Sequence, residues 1–456
     1  MKVVVIGGGP GGYVAALRAA IEGAEVTVVE KSKLGGTCLN VGCIPTKAML
    51  ASSGVLDVIK EAGKMGIKVE GTAEPDFTAI MDRKDKVVTG LVQGIEMLFM
   101  ARGVNRIAGT GKLDNEGKLM VETEEGSVNV PYDKLILATG SVPVVPGLFP
   151  YDGDKIITSD EALYLKELPE SMIIVGGGVI GCELGQFFAK CGTKVTVIEA
   201  LPQLLPNEDP EIAQALAKAF RKNKITVSTG KLVTACSIDA DEVEVTLEDG
   251  KQFRAEKVLV CIGRKPNIQG LDLEGMGIEV NNGKVVTNEF MQTYVENVYA
   301  IGDIVNSPML AHVASQEGIV AVEHMFGKAE PISYKAVPRC VYTTPEVACA
   351  GLTETQCKQK SIGYKVGLFQ FIGLGKAKAA GKTDGFVKVI VDEKDVLIGA
   401  SVVGEHATEL LAELTMAIEL GLTAKQAGRV IHPHPTMCEA IMEALHQVHG
   451  VCVHSI

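Results

Sequence analysis

The stretch VVVIGGGPGGYVAALRAAIEGAEVTVVE, residues 3–30, decides the fold of this chain. It consists of an apolar strand, a glycine turn, a helix, a second strand and a terminal acid, Glu30. In such a unit the first glycine permits a tight turn, the second lets a pyrophosphate approach the backbone, and the third lets helix and strand pack closely. The spacing therefore predicts a Rossmann-like dinucleotide-binding unit with Gly7, Gly9 and Gly12 in these positions.

A second copy, IIVGGGVIGCELGQFFAKCGTKVTVIE, occupies residues 173–199 and repeats the same landmarks. Its corresponding residues are Gly176, Gly178, Gly181 and Glu199. A glutamate at the end of the second strand can accept hydrogen bonds from a ribose diol and repels a 2′-phosphate, which favours NAD over NADP. One such motif could be an ordinary glycine turn, but two complete copies make that interpretation improbable. Two dinucleotide sites on one chain suggest electron transfer between two cofactors.

Composition excludes several other classes of protein. The chain has 456 residues, 46% hydrophobic and 22% charged, so two to four folded globular units are expected. A formal net charge of −12 disfavours binding to nucleic acid or to anionic lipids. The longest uncharged run, residues 135–151, contains three prolines and is a poor membrane span, and no secretory signal is recognised. We therefore expect a cytoplasmic protein whose eleven cysteines are mostly reduced.

Two of these cysteines, Cys38 and Cys43, lie in the segment LGGTCLNVGCIPTK at residues 34–47. On a regular helix their Cα atoms would be about 8 to 9 Å apart, beyond the ~7 Å limit for a disulfide, so a bridge requires an irregular turn. Pro45 suits the first turn of a helix, where the amide groups stabilise a Cys43 thiolate. Lys47 lies four residues further and faces the same side. Redox chemistry is plausible, although two unrelated thiols and a solvated lysine remain an alternative.

The segment GGTCLNVGCIPTK together with GGGPGG resembles the pyridine nucleotide-disulfide oxidoreductases, and the resemblance extends along essentially the whole chain. It implies an α/β fold with two Rossmann-like dinucleotide-binding domains and a C-terminal α+β dimerisation domain. FAD is expected at the first site and NAD at the second, with a Cys38–Cys43 disulfide against the flavin. The implied reaction of this homodimer oxidises dihydrolipoamide, or a lipoylated carrier protein of a 2-oxo acid dehydrogenase or glycine cleavage system, and reduces NAD⁺. Cys38 is then the sulfur that exchanges with substrate, and Cys43 is the thiolate beside the flavin.

Other segments match the same family in order. LILATGS at 135–141 and VLVCIGRKPN at 258–267 resemble the strands that end the two units, and residues 298–318 resemble a second flavin-contacting segment. There Asp303 would hold the ribityl chain, unless it is a simple turn residue. The resemblance marks the following as cofactor-contacting residues: Gly7, Gly9, Gly12, Glu30, Thr37, Lys47, Gly111, Gly140, Asp303, Ala311, Gly176, Gly178, Gly181, Glu183, Glu199, Val233 and Gly263. Glu183 is expected to pair with the lysine at 47, the alternative being an exposed helix carboxylate.

The segment VIHPHPTMCEAIMEALH at residues 430–446 contains a possible acid–base group. In an extended, proline-locked run His432 and His434 would point to one side. Thr436 and Glu439 have the spacing of a helix capping box. The resemblance makes His434 the acid–base catalyst, oriented by Glu439 and contributed by the other subunit; an imidazole suits this role because it titrates near neutrality. Without the resemblance, the histidine pair could be a metal half-site or a satisfied structural pair; we predict no metal.

The chain is divided into predicted units, and alternatives to the main function remain. The units are an FAD-binding domain at 1–149, an NAD-binding domain at 150–270, a central segment at 271–336 that completes the FAD-binding region, and a dimerisation domain at 337–456. The tail, with Cys452 and His454, is expected to be a packed or dangling end rather than a metal site. Alternative functions are another NAD(P)H-dependent disulfide or mercuric reductase, and a non-catalytic flavoprotein that docks on a larger complex or acts as a sensor.

Overall fold

In the computed structural model, which describes residues 1–114 and 117–454, the chain folds around three five-stranded sheets and several smaller ones. One hydrophobic cluster joins the parts of the chain that carry these sheets, since Met49, Phe187 and Val347 all belong to it. None of the described helices has both the length and the apolar character needed to cross a lipid bilayer. The α/β fold class expected from the sequence is confirmed.

The first unit contains a parallel sheet next to a small antiparallel one. Its strands are β1 (Lys2–Ile6), β2 (Glu25–Glu30), β3 (Asn105–Ala108), β4 (Thr110–Leu113), β5 (Leu119–Thr123), β6 (Gly126–Asn129), β7 (Lys134–Leu137) and β8 (Ser141–Pro143). Its helices are α1 (Pro10–Ile21), α2 (Gly36–Asn40), α3 (Cys43–Glu61) and α4 (Phe77–Arg102). The valines and isoleucine of β1 are all buried, as expected for a parallel sheet that is covered on both faces.

The second unit repeats the strand–helix–strand arrangement of the first. Its strands are β9 (Ile156–Ile157), β10 (Ser171–Val175), β11 (Lys194–Glu199), β12 (Thr226–Thr229), β13 (Val233–Asp239), β14 (Glu242–Leu247), β15 (Gln252–Ala255), β16 (Lys257–Val260) and β17 (Arg264–Pro266). Its helices are α5 (Ser159–Ala162), α6 (Val179–Cys191) and α7 (Pro210–Lys222). The parallel sheet has the order β12-β11-β10-β16-β9, and β13, β14 and β15 form an antiparallel sheet beside it.

The chain then returns to the first sheet. The central segment contains β18 (Val280–Asn281), β19 (Lys284–Val285), β20 (Val298–Ala300) and α8 (Ala311–Met325). Strand β20 pairs with β7 in parallel, so the first sheet has the order β20-β7-β1-β2-β3. Helix α8 packs against α1 on that sheet. The segment thus completes the first unit in space although it lies far away in sequence.

The C-terminal unit is an antiparallel sheet covered by helices. Its strands are β21 (Arg339–Val341), β22 (Glu346–Gly351), β23 (Tyr364–Gln370), β24 (Phe386–Asp392) and β25 (Leu397–Gly404), in the order β21-β22-β25-β24-β23. Its helices are α9 (Glu354–Gln359), α10 (Gly375–Ala380), α11 (Ala407–Glu419), α12 (Ala424–Ala427) and α13 (Glu439–Gln447). Helices α11 and α13 pack on this sheet, which gives the predicted mixed α/β unit.

Candidate active site

A single cavity of about 1880 Å³ lies between the units and contains most of the predicted cofactor-contacting residues. Both glycine turns, both cysteines and the segment near residue 311 line it. The predicted residues that line it are Gly7, Gly9, Glu30, Thr37, Cys38, Cys43, Lys47, Gly111, Gly140, Gly176, Gly178, Glu183, Glu199, Val233, Gly263, Asp303 and Ala311. Gly12 and Gly181 lie behind the turns, and His434 and Glu439 lie outside the cavity of their own chain.

The first glycine turn has the shape of a phosphate cradle. Gly7 has a φ of +107°, and a Cβ there would lie 2.2 Å from the carbonyl oxygen of Ala138. A Cβ at Gly12 would lie 1.9 Å from the carbonyl oxygen of Gly7, so a side chain at either position would collide with backbone. At Gly9 the nearest atom is 3.8 Å from such a Cβ, on the cavity side of the turn. Only Gly9 therefore leaves space that a bound group can use.

The second turn repeats these relations. Gly176 has a φ of +118° and its Cβ would lie 2.4 Å from the carbonyl oxygen of Cys261. A Cβ at Gly181 would lie 2.0 Å from the carbonyl oxygen of Gly176, whereas nothing lies within 4 Å at Gly178. Each open glycine is the N-cap of a helix, α1 or α6, whose first amide groups suit an anion. Both turns thus fit the pyrophosphate of a dinucleotide.

The two acids at the ends of β2 and β11 are held in the same way. Glu30 Oε2 accepts a hydrogen bond from the N–H of Gly8 at 2.7 Å, and Glu199 Oε2 accepts one from the N–H of Gly177 at 2.7 Å. A carboxylate oxygen can accept a second hydrogen bond, so each acid can also receive a ribose hydroxyl group. The backbone bonds fix each carboxylate at the edge of its turn.

The two cysteines lie on either side of a helix break. Helix α2 ends at Asn40 and α3 begins at Cys43, so the irregular turn that a disulfide requires is present. The side chains of Cys38 and Cys43 are in hydrogen-bonding contact. The hydrogen bond to Cys43, together with burial, raises the pKa of Cys38. The hydrogen bond from Cys38 and the charge of Lys47 lower the pKa of Cys43, which is therefore the preferred thiolate of the reduced pair.

The cation beside Cys43 is fixed by a buried carboxylate. Lys47 Nζ lies 2.7 Å from Glu183 Oε2, and the Glu183 side chain is only 3% exposed, so the alternative of an exposed helix carboxylate is wrong. Glu183 Oε1 accepts the N–H of Tyr342 at 2.9 Å, and Lys47 Nζ lies 4.5 Å from the centre of the Tyr342 ring. Sequence reasoning missed Tyr342, because it belongs to the C-terminal unit and no motif marks it.

Asp303 belongs to a polar network that faces the cavity. It lies in a 3₁₀ turn and accepts a hydrogen bond from the hydroxyl group of Ser141. Arg264 Nε donates to the same hydroxyl oxygen at 2.8 Å and Arg264 Nη2 donates to the Ser141 carbonyl at 2.8 Å. Arg264 was also missed, although the quoted segment GRKPN contains it. Asp303 is thus a turn residue, and because it also lines the cavity, it can contact a cofactor as well.

The predicted acid–base pair is formed by His434 and Glu439, and it lies outside the cavity of its own chain. His434 Nδ1 lies 2.8 Å from Glu439 Oε1, and the histidine side chain is 76% exposed. Burial raises the pKa of Glu439, but hydrogen bonds from His434 and from the N–H of Thr436 outweigh it and bring that pKa below its usual value. One half of the predicted capping box is present, since Glu439 Oε2 accepts the N–H of Thr436 at 2.9 Å. The other half is absent: the Thr436 hydroxyl group donates to the carbonyl oxygen of Pro433, and α13 begins later, with Cys438 as its N-cap.

The neighbouring histidine is structural. The His432 side chain is 4% exposed and bonds to Glu413 at 2.8 Å, so the two imidazoles lie in different surroundings and do not form the expected shared face. Among the described residues, the carboxylates grouped closely enough for a cation are those of Asp209, Glu211 and Glu354, and the Lys388 ammonium lies among them. In the tail, the side chains of Cys452 and His454 bond to the carboxylate of residue 443, which agrees with a packed end.

Comparison with known proteins agrees with this geometry. Residues 1–318 match the profile of the pyridine nucleotide-disulphide oxidoreductases, and residues 337–445 match the dimerisation domain of that family. The chain is 42% identical to a dihydrolipoyl dehydrogenase of Bacillus subtilis, covering 99% of this chain and 98% of the relative. It is 43% identical to the dihydrolipoyl dehydrogenase of Halobacterium salinarum, covering 100% of this chain and 97% of the relative.

A solved structure is similar over the same length. The crystal structure of LpdA from Mycobacterium tuberculosis superposes with a TM-score of 0.92 at 28% identity, covering 98% of this chain and 99% of that one. Three observations agree on the family: the profile matches, the similarity to full-length relatives, and the cavity that holds both glycine turns and the cysteine pair. This chain belongs to the pyridine nucleotide-disulphide oxidoreductase family.

Proposed function

We propose that this protein oxidises dihydrolipoamide, or the dihydrolipoyl group of a carrier protein, and reduces NAD⁺ to NADH. The observation that carries the proposal is that the Cys38–Cys43 pair opens into the same cavity as both dinucleotide turns. Full-length relatives named dihydrolipoyl dehydrogenase support the choice of substrate. A carrier that serves a 2-oxo acid dehydrogenase or a glycine cleavage system has the required chemistry.

Membership of the family implies a flavin and a pyridine nucleotide, and we propose FAD and NAD. The first turn, with Gly9 open and Glu30 beside it, fits the diphosphate and ribose of FAD. The flavin, when bound, supplies two-electron transfer between a dithiol and the nucleotide. Residues 1–149 and 271–336 would form the FAD-binding region, because β20 completes the first sheet.

The thiol chemistry is assigned to the cysteine pair and His434. His434 removes a proton from one substrate thiol, and the resulting thiolate attacks Cys38 of the disulfide. The Cys38–Cys43 bond breaks, and Cys43 leaves as a thiolate, which its lowered pKa favours. The second substrate thiol then attacks Cys38 and its proton passes to the departing Cys38 sulfur, so the substrate becomes a cyclic disulfide and the enzyme holds a Cys38 thiol and a Cys43 thiolate. Glu439 orients His434 and stabilises its protonated form.

The acid–base group comes from the partner in this proposal. His434 is exposed and lies outside the cavity of its own chain, while residues 337–445 match a dimerisation domain. The dimerisation domain supports a homodimer. Two-fold symmetry would give each cavity a histidine from the other chain.

Nucleotide preference is assigned to Glu199. Its carboxylate is held at the second turn and disfavours a 2′-phosphate by charge repulsion. Exchange of Glu199→Arg should raise the KM for NAD⁺ and lower that for NADP⁺. A matched exchange at the exposed Glu242, outside the cavity, should change neither value. An unchanged NAD⁺ to NADP⁺ ratio in Glu199→Arg would contradict the assignment.

The function is tested by parallel turnover assays on the purified protein. Dihydrolipoamide with NAD⁺ should be the preferred pair over glutathione disulfide or mercuric ion with NADH or NADPH. Preference for one of the latter substrates would favour another reductase of the family. No turnover with any substrate would favour a docking or sensor protein. We also propose a cytoplasmic location, a reducing compartment in which most of the eleven cysteines would stay reduced.

A further inference from the structure

Helices α3 and α6 pack against each other and present their N-terminal ends to the same cavity. The end of α3 carries Cys43, and the end of α6 carries the second glycine turn. Lys47 and Glu183 connect the two helices near these ends. The relative position of the helices therefore sets the position of the nucleotide turn relative to the thiolate.

A second ion pair joins the same helices further from the cavity. Lys190 Nζ lies 2.6 Å from Asp57 Oδ2, with side chains 5% and 29% exposed. Lys190 Nζ also donates to Thr344 Oγ1 at 2.9 Å. The polarity is reversed relative to the first pair: α3 supplies the cation near the cavity and the anion at the far end. Neither the cysteine chemistry nor the cofactor cradles use this pair.

The two pairs together constrain more than either does alone. On α6, Glu183 and Lys190 are seven residues apart, which is about two turns and about 10 Å along the axis. One ion pair lets α6 pivot about the contact, while a second pair at that distance fixes its direction. Because the polarities are opposite, sliding one helix along the other brings like charges together.

We propose that Asp57 and Lys190 are positioning residues that fix α6 against α3 and so hold the nucleotide turn in register with Cys43. The proposal rests on the proposed function in one respect, namely that the second turn binds NAD. Gln186 Nε2 donates to the carbonyl oxygen of Thr344 at 2.9 Å, and Gln186 Oε1 accepts the N–H of Thr344 at 2.6 Å. Helix α6 therefore keeps neutral contacts with the C-terminal unit when the ion pair is removed.

The test measures NAD⁺ binding to the holoenzyme by calorimetry and, separately, the pH midpoint of Cys43 alkylation in the reduced enzyme. Asp57→Asn should weaken NAD⁺ binding about three- to tenfold, which lies within the range found for coupling through packed networks. It should leave the alkylation midpoint unchanged, because Lys47 and Glu183 remain. Hydrogen exchange of the α6 amides should become faster. The control Glu122→Gln, which breaks an exposed ion pair with Lys112 in the small sheet of the first unit, should alter none of these readouts.

Reversal of both charges distinguishes the pair from a general structural role. The double variant Asp57→Lys with Lys190→Asp restores opposite charges and should recover most of the NAD⁺ affinity. Unchanged NAD⁺ binding in Asp57→Asn, no recovery in the double variant, or a shifted alkylation midpoint would each overturn the inference. If Asp57→Asn does not fold, the double variant decides: near wild-type binding supports the pair and weak binding refutes it. If the wild-type protein does not bind NAD⁺, both this inference and the proposed function are wrong. If the wild type turns over normally and Asp57→Asn binds NAD⁺ as tightly as the wild type, only the inference is wrong.

Discussion

Replacement of Lys47 by methionine tests how the thiolate of the cysteine pair is stabilised. Lys47 lies one helical turn from Cys43, and residues at this spacing have Cβ atoms about 5 to 6 Å apart. Two unit charges about 6 Å apart interact with about 3 kcal/mol at an effective dielectric constant of about 20, and with about 0.7 kcal/mol at that of water. Since Lys47 is 29% exposed, the value lies between these limits, and we expect a change of about one pH unit.

The sign of the effect depends on which partner is removed. Lys47 lowers the pKa of Cys43 and Glu183 raises it. Lys47→Met should therefore move the midpoint of Cys43 reactivity to higher pH, and Glu183→Gln should move it to lower pH. At a fixed pH below the midpoint, the first change slows alkylation about tenfold, because each pH unit changes the thiolate fraction about tenfold.

The assay is alkylation of the anaerobically reduced enzyme with iodoacetamide over a range of pH, with peptide mass spectrometry to quantify modified Cys43. Lys112→Met, which removes the lysine of an exposed ion pair, is the matched control and should leave the midpoint in place. Equal midpoints for wild type and Lys47→Met, or shifts of the same sign in Lys47→Met and Glu183→Gln, would refute the electrostatic account.

Three further predictions follow from the geometry of the site and its supports. Gly12→Ala should lower the thermal stability of the flavin-free protein, because the added Cβ would lie 1.9 Å from the carbonyl oxygen of Gly7. Gly9→Ala should keep that thermal stability but purify without flavin absorbance. Equal thermal stabilities of the two flavin-free variants would contradict this prediction. Lys388→Met should cost about 3 to 5 kcal/mol at neutral pH, because it removes the cation that pairs with the buried Asp209 and with Glu354 and lowers their pKa values. The difference in unfolding free energy between variant and parent should shrink as the pH falls below about 4 and these carboxylates become protonated. A parent-like pH profile for Lys388→Met would refute this. Mixed dimers of Cys38→Ser and His434→Gln chains should regain about half the wild-type turnover per dimer, as one composite site is intact; inactive mixed dimers would mean that each chain builds its own site.

The sequence predicts the repeated units and the cradles well for a physical reason. In β1 and β10 the burial of nearly every side chain produces a continuous apolar run. The first and third glycines of each turn are required because a Cβ there would lie less than 2.5 Å from a backbone atom. Such constraints act between residues that are close in sequence. They are visible in the motif itself, as are the helix break before Cys43 and the position of the following lysine.

Contacts between distant segments were not predicted in the same way. Tyr342 meets Glu183 only because the C-terminal sheet packs on α6, and Ser141 meets Arg264 only because β8 and β17 pair. The environments of His432 and His434 differ for the same reason, since Glu413 of α11 reaches only the first. Hydrophobic periodicity and local residue spacing do not predict contacts between residues this far apart in sequence. The correct pairing of Lys47 with Glu183 was therefore predicted from the family resemblance.

The most direct test of the account asks whether the nucleotide site and the cysteine pair are connected. The oxidised holoenzyme would be treated anaerobically with one equivalent of NADH, alkylated at once, and compared with an untreated sample by peptide mass spectrometry. We predict that NADH makes two thiols newly reactive, Cys38 and Cys43, and that the labelling of the other nine cysteines is unchanged. Labelling that is independent of NADH, or new labels at any other cysteine, would contradict the central claim.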